Sequence, residues 1–119
     1  MKVLVLHALR FDSRLTTFQH ALCFARHLNG CDVTYVNALG LVNDAIDDYD
    51  VAIVTYELIA LRNTPFWSVI ESRIAPLLSS ASIRVIMPQD DYSSCAVLDN
   101  FVVQHQFHYV YSPITRDLE

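Results

Sequence analysis

A chain of 119 residues, 53% of them apolar and 18% charged, can bury one sizeable core and is too short for two ordinary domains. Its formal net charge of -5 excludes the basic footprint of a nonspecific nucleic-acid binder. No apolar run approaches the roughly 18 residues of a membrane-spanning helix, and the run after Met1-Lys2 is too short for a signal-peptide core, so no transmembrane segment and a cytoplasmic location are expected.

The predicted elements alternate strand and helix from end to end. Val3 to Leu6 is a short continuous apolar run, the pattern of a fully buried parallel strand. A helix follows, with Leu15, Phe18, Leu22, Ala25 and Leu28 recurring at three- and four-residue steps as one apolar stripe. Asp12 or Ser13 can cap its first free amides, and Asn29-Gly30 closes it with Gly30 free to turn left-handed. Val33 to Val36 is the second strand. A short helix near Asn43 to Ile46 is a weaker signal. Val51 to Val54 is the third strand, announced by the acidic turn Asp47-Asp48-Tyr49-Asp50.

Thr64-Pro65 predicts a helix start, since proline at the first helical position gives up no needed amide. Phe66, Val69, Ile70, Ile74 and Leu77 form its expected buried stripe, and Pro76 should kink or end the helix. Ile83 to Met87 is the fourth strand. A helix opening at Ser94 turns Leu98, Phe101 and Val102 inward, and His108 to Tyr111 is the fifth strand. This alternation predicts one α/β domain over 1–119: a three-layer, Rossmann-like open parallel sheet of five strands in the order 3-2-1-4-5. The ligand crevice is then expected between strands one and four, at their C-terminal ends.

That edge collects most of the polar chemistry of an otherwise apolar chain. His7, Arg10, Phe11, Asp12 and Ser13 follow strand one; Thr55, Tyr56 and Glu57 follow strand three; Gln89, Asp90, Asp91 and Tyr92 follow strand four; Ser112 follows strand five. Each has a structural reading beside the functional one. Asp12 and Asp91 can be helix caps, Arg10 a solvated charge or a partner of Asp90, His7 a half-buried satisfied histidine, Tyr56 and Tyr92 packing residues.

Several site classes lack their residues. The chain holds two glycines, Gly30 and Gly40, and neither follows strand one, where a dinucleotide or flavin fingerprint needs them. Strand three ends in Thr55-Tyr56-Glu57 rather than the aspartate of a phosphoacceptor receiver, and no serine sits on the small-residue elbow of a hydrolase. Cys23, Cys31 and Cys95 show no Cys-x-x-Cys spacing, and the five histidines form no metal-binding pair, so buried thiols in a reducing compartment, no metal and no cofactor are expected. The Asp90-Asp91 pair could do acid–base work in a small hydrolase or deaminase, but no nucleophile or metal ligand accompanies it.

Three segments resemble the N-terminal Rossmann-like half of bacterial glycosyltransferases of the GT-B fold, the retaining family-four-like group. They are Lys2 to Leu6 with its loop and the helix to Leu28; Tyr49-Asp50-Val51-Ala52-Ile53-Val54; and, most distinctive, Arg84-Val85-Ile86-Met87-Pro88-Gln89-Asp90-Asp91-Tyr92, similar to a Gln-Asp-Glu-Tyr segment of such enzymes. Asp91 stands where that segment has glutamate, with the same charge and a shorter reach.

The resemblance implies the acceptor side of a two-domain enzyme, with the nucleotide-sugar donor held mainly by a C-terminal domain that this sequence lacks. Sugar would pass to an acceptor hydroxyl, by positioning and stabilisation of the departing diphosphate, and the isolated chain should be inactive. On this reading Gln89, Asp90 and Asp91 bind the hydroxyls of a saccharide or other acceptor, Arg10 and His7 flank the reaction centre, Asp12 belongs to the substrate-binding set, and Tyr56 or Tyr92 stacks on a sugar face. The alternative is a non-catalytic flavodoxin-like binding or dimerisation module, motivated by the apolar composition and by Phe107, Tyr109 and Tyr111 as an exposed edge, with a homodimer as its partner state.

Overall fold

The computed structural model describes residues 1–10, 15–40, 48–88 and 95–111. Five strands, β1 (Lys2–His7), β2 (Asp32–Asn37), β3 (Tyr49–Val54), β4 (Ala81–Ile86) and β5 (Tyr109–Val110), form one sheet in which every pair is parallel. The helices are α1 (Leu15–His27), α2 (Tyr56–Ile59) leading into a 3₁₀ turn at Ala60–Asn63, α3 (Trp67–Ser79) and α4 (Cys95–Gln104). The expected three-layer α/β sheet is therefore present. The expected short helix at Asn43 to Ile46 lies outside the described residues.

The strand order is 2-1-3-4-5, not 3-2-1-4-5. The reason is legible in β2. Its side chains alternate between more and less exposed, with Asp32 and Thr34 outward, as an edge strand requires; the expected order would bury both in mid-sheet. By contrast Val3, Leu4, Val5 and Leu6 of β1 are all buried, and β3 contributes buried Ala52, Ile53 and Val54 as β1's second neighbour. The topological switch point accordingly falls between β1 and β3 rather than between β1 and the fourth strand, which moves the expected crevice one strand over.

Alternation along the strands divides the core in two. Val3, Val5 and Ile53 face α1, meeting Phe24 and Leu28. Leu4, Leu6, Ala52 and Val54 face the opposite layer, built from Leu58 and Ile59 of α2, Ile70, Ile74, Leu77 and Leu78 of α3, and Leu98 and Phe101 of α4. Two helices turn differently from expectation. Leu15 and Leu22 of α1 are exposed, and the inward stripe runs His20, Phe24, Leu28 at four-residue steps. In α3 the helix begins at Trp67, after a Thr64-Pro65-Phe66 turn; Trp67 is buried while Phe66 and Val69 are exposed. Pro76 sits in the last turn, three residues before the helix ends. It offers no N–H to the carbonyl four residues back, and the helix ends within a turn of it.

The N-terminal edge of the sheet is tied down by polar contacts. Lys2 N–H donates to the Asp50 carboxylate at 2.7 Å, and His105 Nε2 lies 2.8 Å from Glu71 Oε2, joining α4 to α3. Arg84 spends its guanidinium on the carbonyl oxygens of Leu78, Ala81 and Gln106. At the end of α4, Gln106 occupies the left-handed region (φ 54°), while Gln106 N–H donates to Val103 O and Phe107 N–H to Val102 O. That double closure is the usual setting for glycine. Gln106→Gly is expected to stabilise the fold by about 0.5–1 kcal/mol, read as a higher midpoint in urea, because it removes left-handed strain without removing a bond.

Candidate active-site edge

Past the switch point the sheet's hydrogen bonding continues into the loops. Ala38 N–H donates to His7 O, Thr55 N–H to Leu6 O, and Met87 N–H to Val54 O. The segment leaving β1 is pinned from β2: Asn37 Nδ2 donates to Leu9 O at 2.9 Å. His7, the last residue of β1, accepts a hydrogen bond from Leu9 N–H on Nδ1 at 3.1 Å. Its neutral ring therefore carries the proton on Nε2, and it can donate one hydrogen bond outward. Burial lowers the His7 pKa, against a smaller opposing pull from the Glu57 charge.

Thr55 ends β3 fully buried. Its hydroxyl lies 3.1 Å from Leu6 O and 2.5 Å from Glu57 Oε1. The hydroxyl has one proton to share between these acceptors, and the contact fixes the carboxylate at the mouth of the β1–β3 gap. Tyr56 and Glu57 are half-buried in the first turn of α2. His20 reaches the same place from α1, its ring 4.6 Å from that of Tyr56 and 6.2 Å from Phe24. Its pKa is also lowered by burial and raised, to a smaller degree, by Glu57. One carboxylate thus sits within electrostatic reach of two imidazoles.

Two atoms of this cluster are buried without a hydrogen-bond partner: Glu57 Oε2 and His20 Nε2. Buried polar atoms of native proteins are normally satisfied, so an orphan carboxylate oxygen and an orphan imidazole nitrogen within electrostatic reach of each other mark a place for a group that can both donate and accept. A hydroxyl or a water meets that description. A phosphate does not, because it meets a carboxylate and two neutral rings.

No family model, curated protein or solved structure matches this chain.

Of the residues singled out in the sequence, His7 and Tyr56 are brought to this edge, and Arg10 stands exposed three residues past β1. Asp12, Gln89, Asp90, Asp91 and Tyr92 lie outside the described residues, as do Phe11, Ser13 and Ser112. His20 was not anticipated. Its signal was available: a histidine aligned with Phe24 and Leu28 on one helical face is a polar residue in a core stripe. Among the described residues no three His, Cys, Asp or Glu side chains converge as a metal site, and no helix is long and apolar enough to cross a membrane. A cleft of about 300 Å³, beside Arg84 and Gln104, opens at the opposite, N-terminal edge of the sheet.

Proposed function

We propose that this domain forms the acceptor side of a cytoplasmic glycosyltransferase of the GT-B kind, binding a hydroxyl-bearing acceptor, with a saccharide the first choice, at the C-terminal edge of β1 and β3. The observation that carries this reading is the pair of orphaned buried atoms, Glu57 Oε2 and His20 Nε2, at the sheet's switch point. Open α/β sheets bind ligands at that point. A neutral polyol suits the local chemistry: the carboxylate accepts from one hydroxyl, the imidazole donates to or accepts from the next, and His7 Nε2–H donates at the rim. Tyr56 offers a ring for the apolar face of a sugar. The sequence segment ending at Gln89-Asp90-Asp91-Tyr92 supports the same reading by resemblance.

His7 serves on this reading as a hydrogen-bond donor that orients the acceptor, since its Nδ1 is already engaged by Leu9. Positioning of this kind supplies a large part of transfer catalysis. The nucleotide sugar would be held by a second, facing domain, so this chain alone should bind acceptor and transfer nothing.

The test is a titration of ¹⁵N-labelled protein with a panel of methyl glycosides, watched by NMR. Shifts confined to His7, His20, Tyr56, Glu57 and the 89–92 segment are the expected result. Saturating sugar that moves none of these signals overturns the proposal.

A further inference from the structure

Glu57 brings a carboxylate into the β1–β3 mouth, and its two oxygens are treated differently there. The Thr55 hydroxyl meets Oε1, whereas Oε2 is buried with no donor beside it. Among the described residues no ion pair includes Glu57. Two imidazoles stand within its electrostatic reach, and burial lowers the pKa of each, which keeps both rings uncharged at pH 7. A negative oxygen shut away from water against uncharged rings is costly until something positive joins it.

That cost separates two kinds of guest. A hydroxyl meets the hydrogen-bonding need of Oε2 and leaves its charge unanswered. A protonated amine donates the same bond and also cancels the charge, in a setting where charge-assisted bonds are at their strongest. His20 Nε2, buried without a partner, becomes a second acceptor when the ring carries its proton on Nδ1, and an ammonium has three N–H donors to share. The Tyr56 ring, 4.6 Å from that of His20, supplies an aromatic face, which also favours a cation. The net charge of -5 draws cations toward the chain as a whole. A metal cation would need several converging ligands, and among the described residues no three such side chains converge.

His7 sets the other end of the guest. Its Nδ1 is taken by Leu9 N–H, so it meets a ligand through Nε2–H and asks for an oxygen. The edge thus calls for a donor-only group at Glu57 and an acceptor at His7.

We propose that the acceptor carries a protonated primary amine next to a hydroxyl, the pattern of an amino sugar. The ammonium sits on Glu57 Oε2 and His20 Nε2, and the neighbouring oxygen takes the proton of His7 Nε2–H. This assignment rests on the acceptor reading above and narrows it to one class of saccharide. N-acetylation of the same amine removes the charge and two of the donors, so the acetylated sugar is discriminated against.

Four probes test it in titrations of the ¹⁵N-labelled chain at pH 7, watched by NMR. They are a methyl glucoside, the methyl 2-amino-2-deoxyglucoside, its N-acetyl derivative, and 2-aminoethanol, which has the amino alcohol without a sugar ring. The amino glycoside is expected to bind at least about tenfold tighter than the other two glycosides, with the Glu57 and His20 signals moving most. In Glu57→Gln, which keeps an oxygen for the Thr55 hydroxyl, that preference should disappear. Equal affinity of the unaltered chain for the amino and neutral glycosides overturns this inference and leaves the acceptor reading standing. A preference that survives Glu57→Gln overturns it too, since the amine is then held elsewhere. Shifts from 2-aminoethanol with none from any glycoside overturn the saccharide reading, and the amino-sugar assignment falls with it. Silence from all four probes overturns both.

Discussion

Phe101→Ala is expected to cost about 3–5 kcal/mol, the range for removing a buried aromatic ring, and to lower the thermal midpoint by more than about 10 °C. Phe101 is 2% exposed and is the largest fully enclosed side chain on α4. Its ring meets Trp67 of α3 edge-on at 5.1 Å and leans on Phe107 at 5.3 Å and His105 at 4.8 Å. One ring therefore joins α3, α4 and the turn into β5. Alanine would leave a cavity between two helices that the rigid sheet below cannot close, and cavity volume adds to the lost transfer energy. The neighbouring His105–Glu71 contact would lose the packing that positions it. Against a total stability of about 5–15 kcal/mol, such a loss places the variant near the unfolding threshold. Phe101→Leu keeps most of the volume and is expected to cost less than half as much. Urea melts measure both, and a Phe101→Ala cost below about 1 kcal/mol would show that the aromatic cluster is not packed as described.

The elements that proved easiest to read are those whose residues leave one choice. Val3 to Leu6 is apolar at every position, so it had to be a strand covered on both faces; the structure buries all four. Thr55 and Glu57 lie at the expected C-terminal edge because they follow directly from a strand end, but the gap they face is between β1 and β3 and not the one expected between strands one and four. The strand order was harder. Parallel strands joined by helices permit several right-handed arrangements, and only the alternation in Asp32–Asn37 separates an edge strand from an interior one. The apolar stripe of α1 failed for a different reason. A 3.6-residue period offers two faces, Leu15–Leu22 and Phe24–Leu28, and the expected stripe ran along the first and took only Leu28 from the second. The sheet selects the second and takes His20 with it, because that histidine's ring packs on Tyr56. The orphaned atoms of the site could not be read at all, since satisfaction depends on three-dimensional neighbours and not on spacing.

Glu57→Gln is expected to weaken sugar binding about tenfold or more, the loss associated with a charge-assisted hydrogen bond of about 1.5–3 kcal/mol, with little change in shape. The amide oxygen can still accept from the Thr55 hydroxyl, as Oε1 does now at 2.5 Å. What disappears is the anionic oxygen at the orphaned position and its field on two imidazoles. That field makes a second readout. Burial holds the His7 and His20 pKa values below the ordinary 6.5, and the Glu57 charge works against that depression. A histidine depressed in the folded state gives stability that is full above pH 6.5 and is lost as pH falls from there through its folded value. Removing the carboxylate leaves burial unopposed, so both folded values drop further and the window of loss extends lower. The midpoint of Glu57→Gln should therefore fall more steeply between pH 7 and pH 5 than that of the unaltered protein, by several degrees. Replacing His20 by phenylalanine in the same background should flatten part of that fall while keeping the ring against Tyr56. Equal slopes in the unaltered and Glu57→Gln proteins, with unchanged affinity for methyl glycosides, would mean that Glu57 neither faces the imidazoles nor meets the ligand, and the reading of this edge as an acceptor site would fail with it.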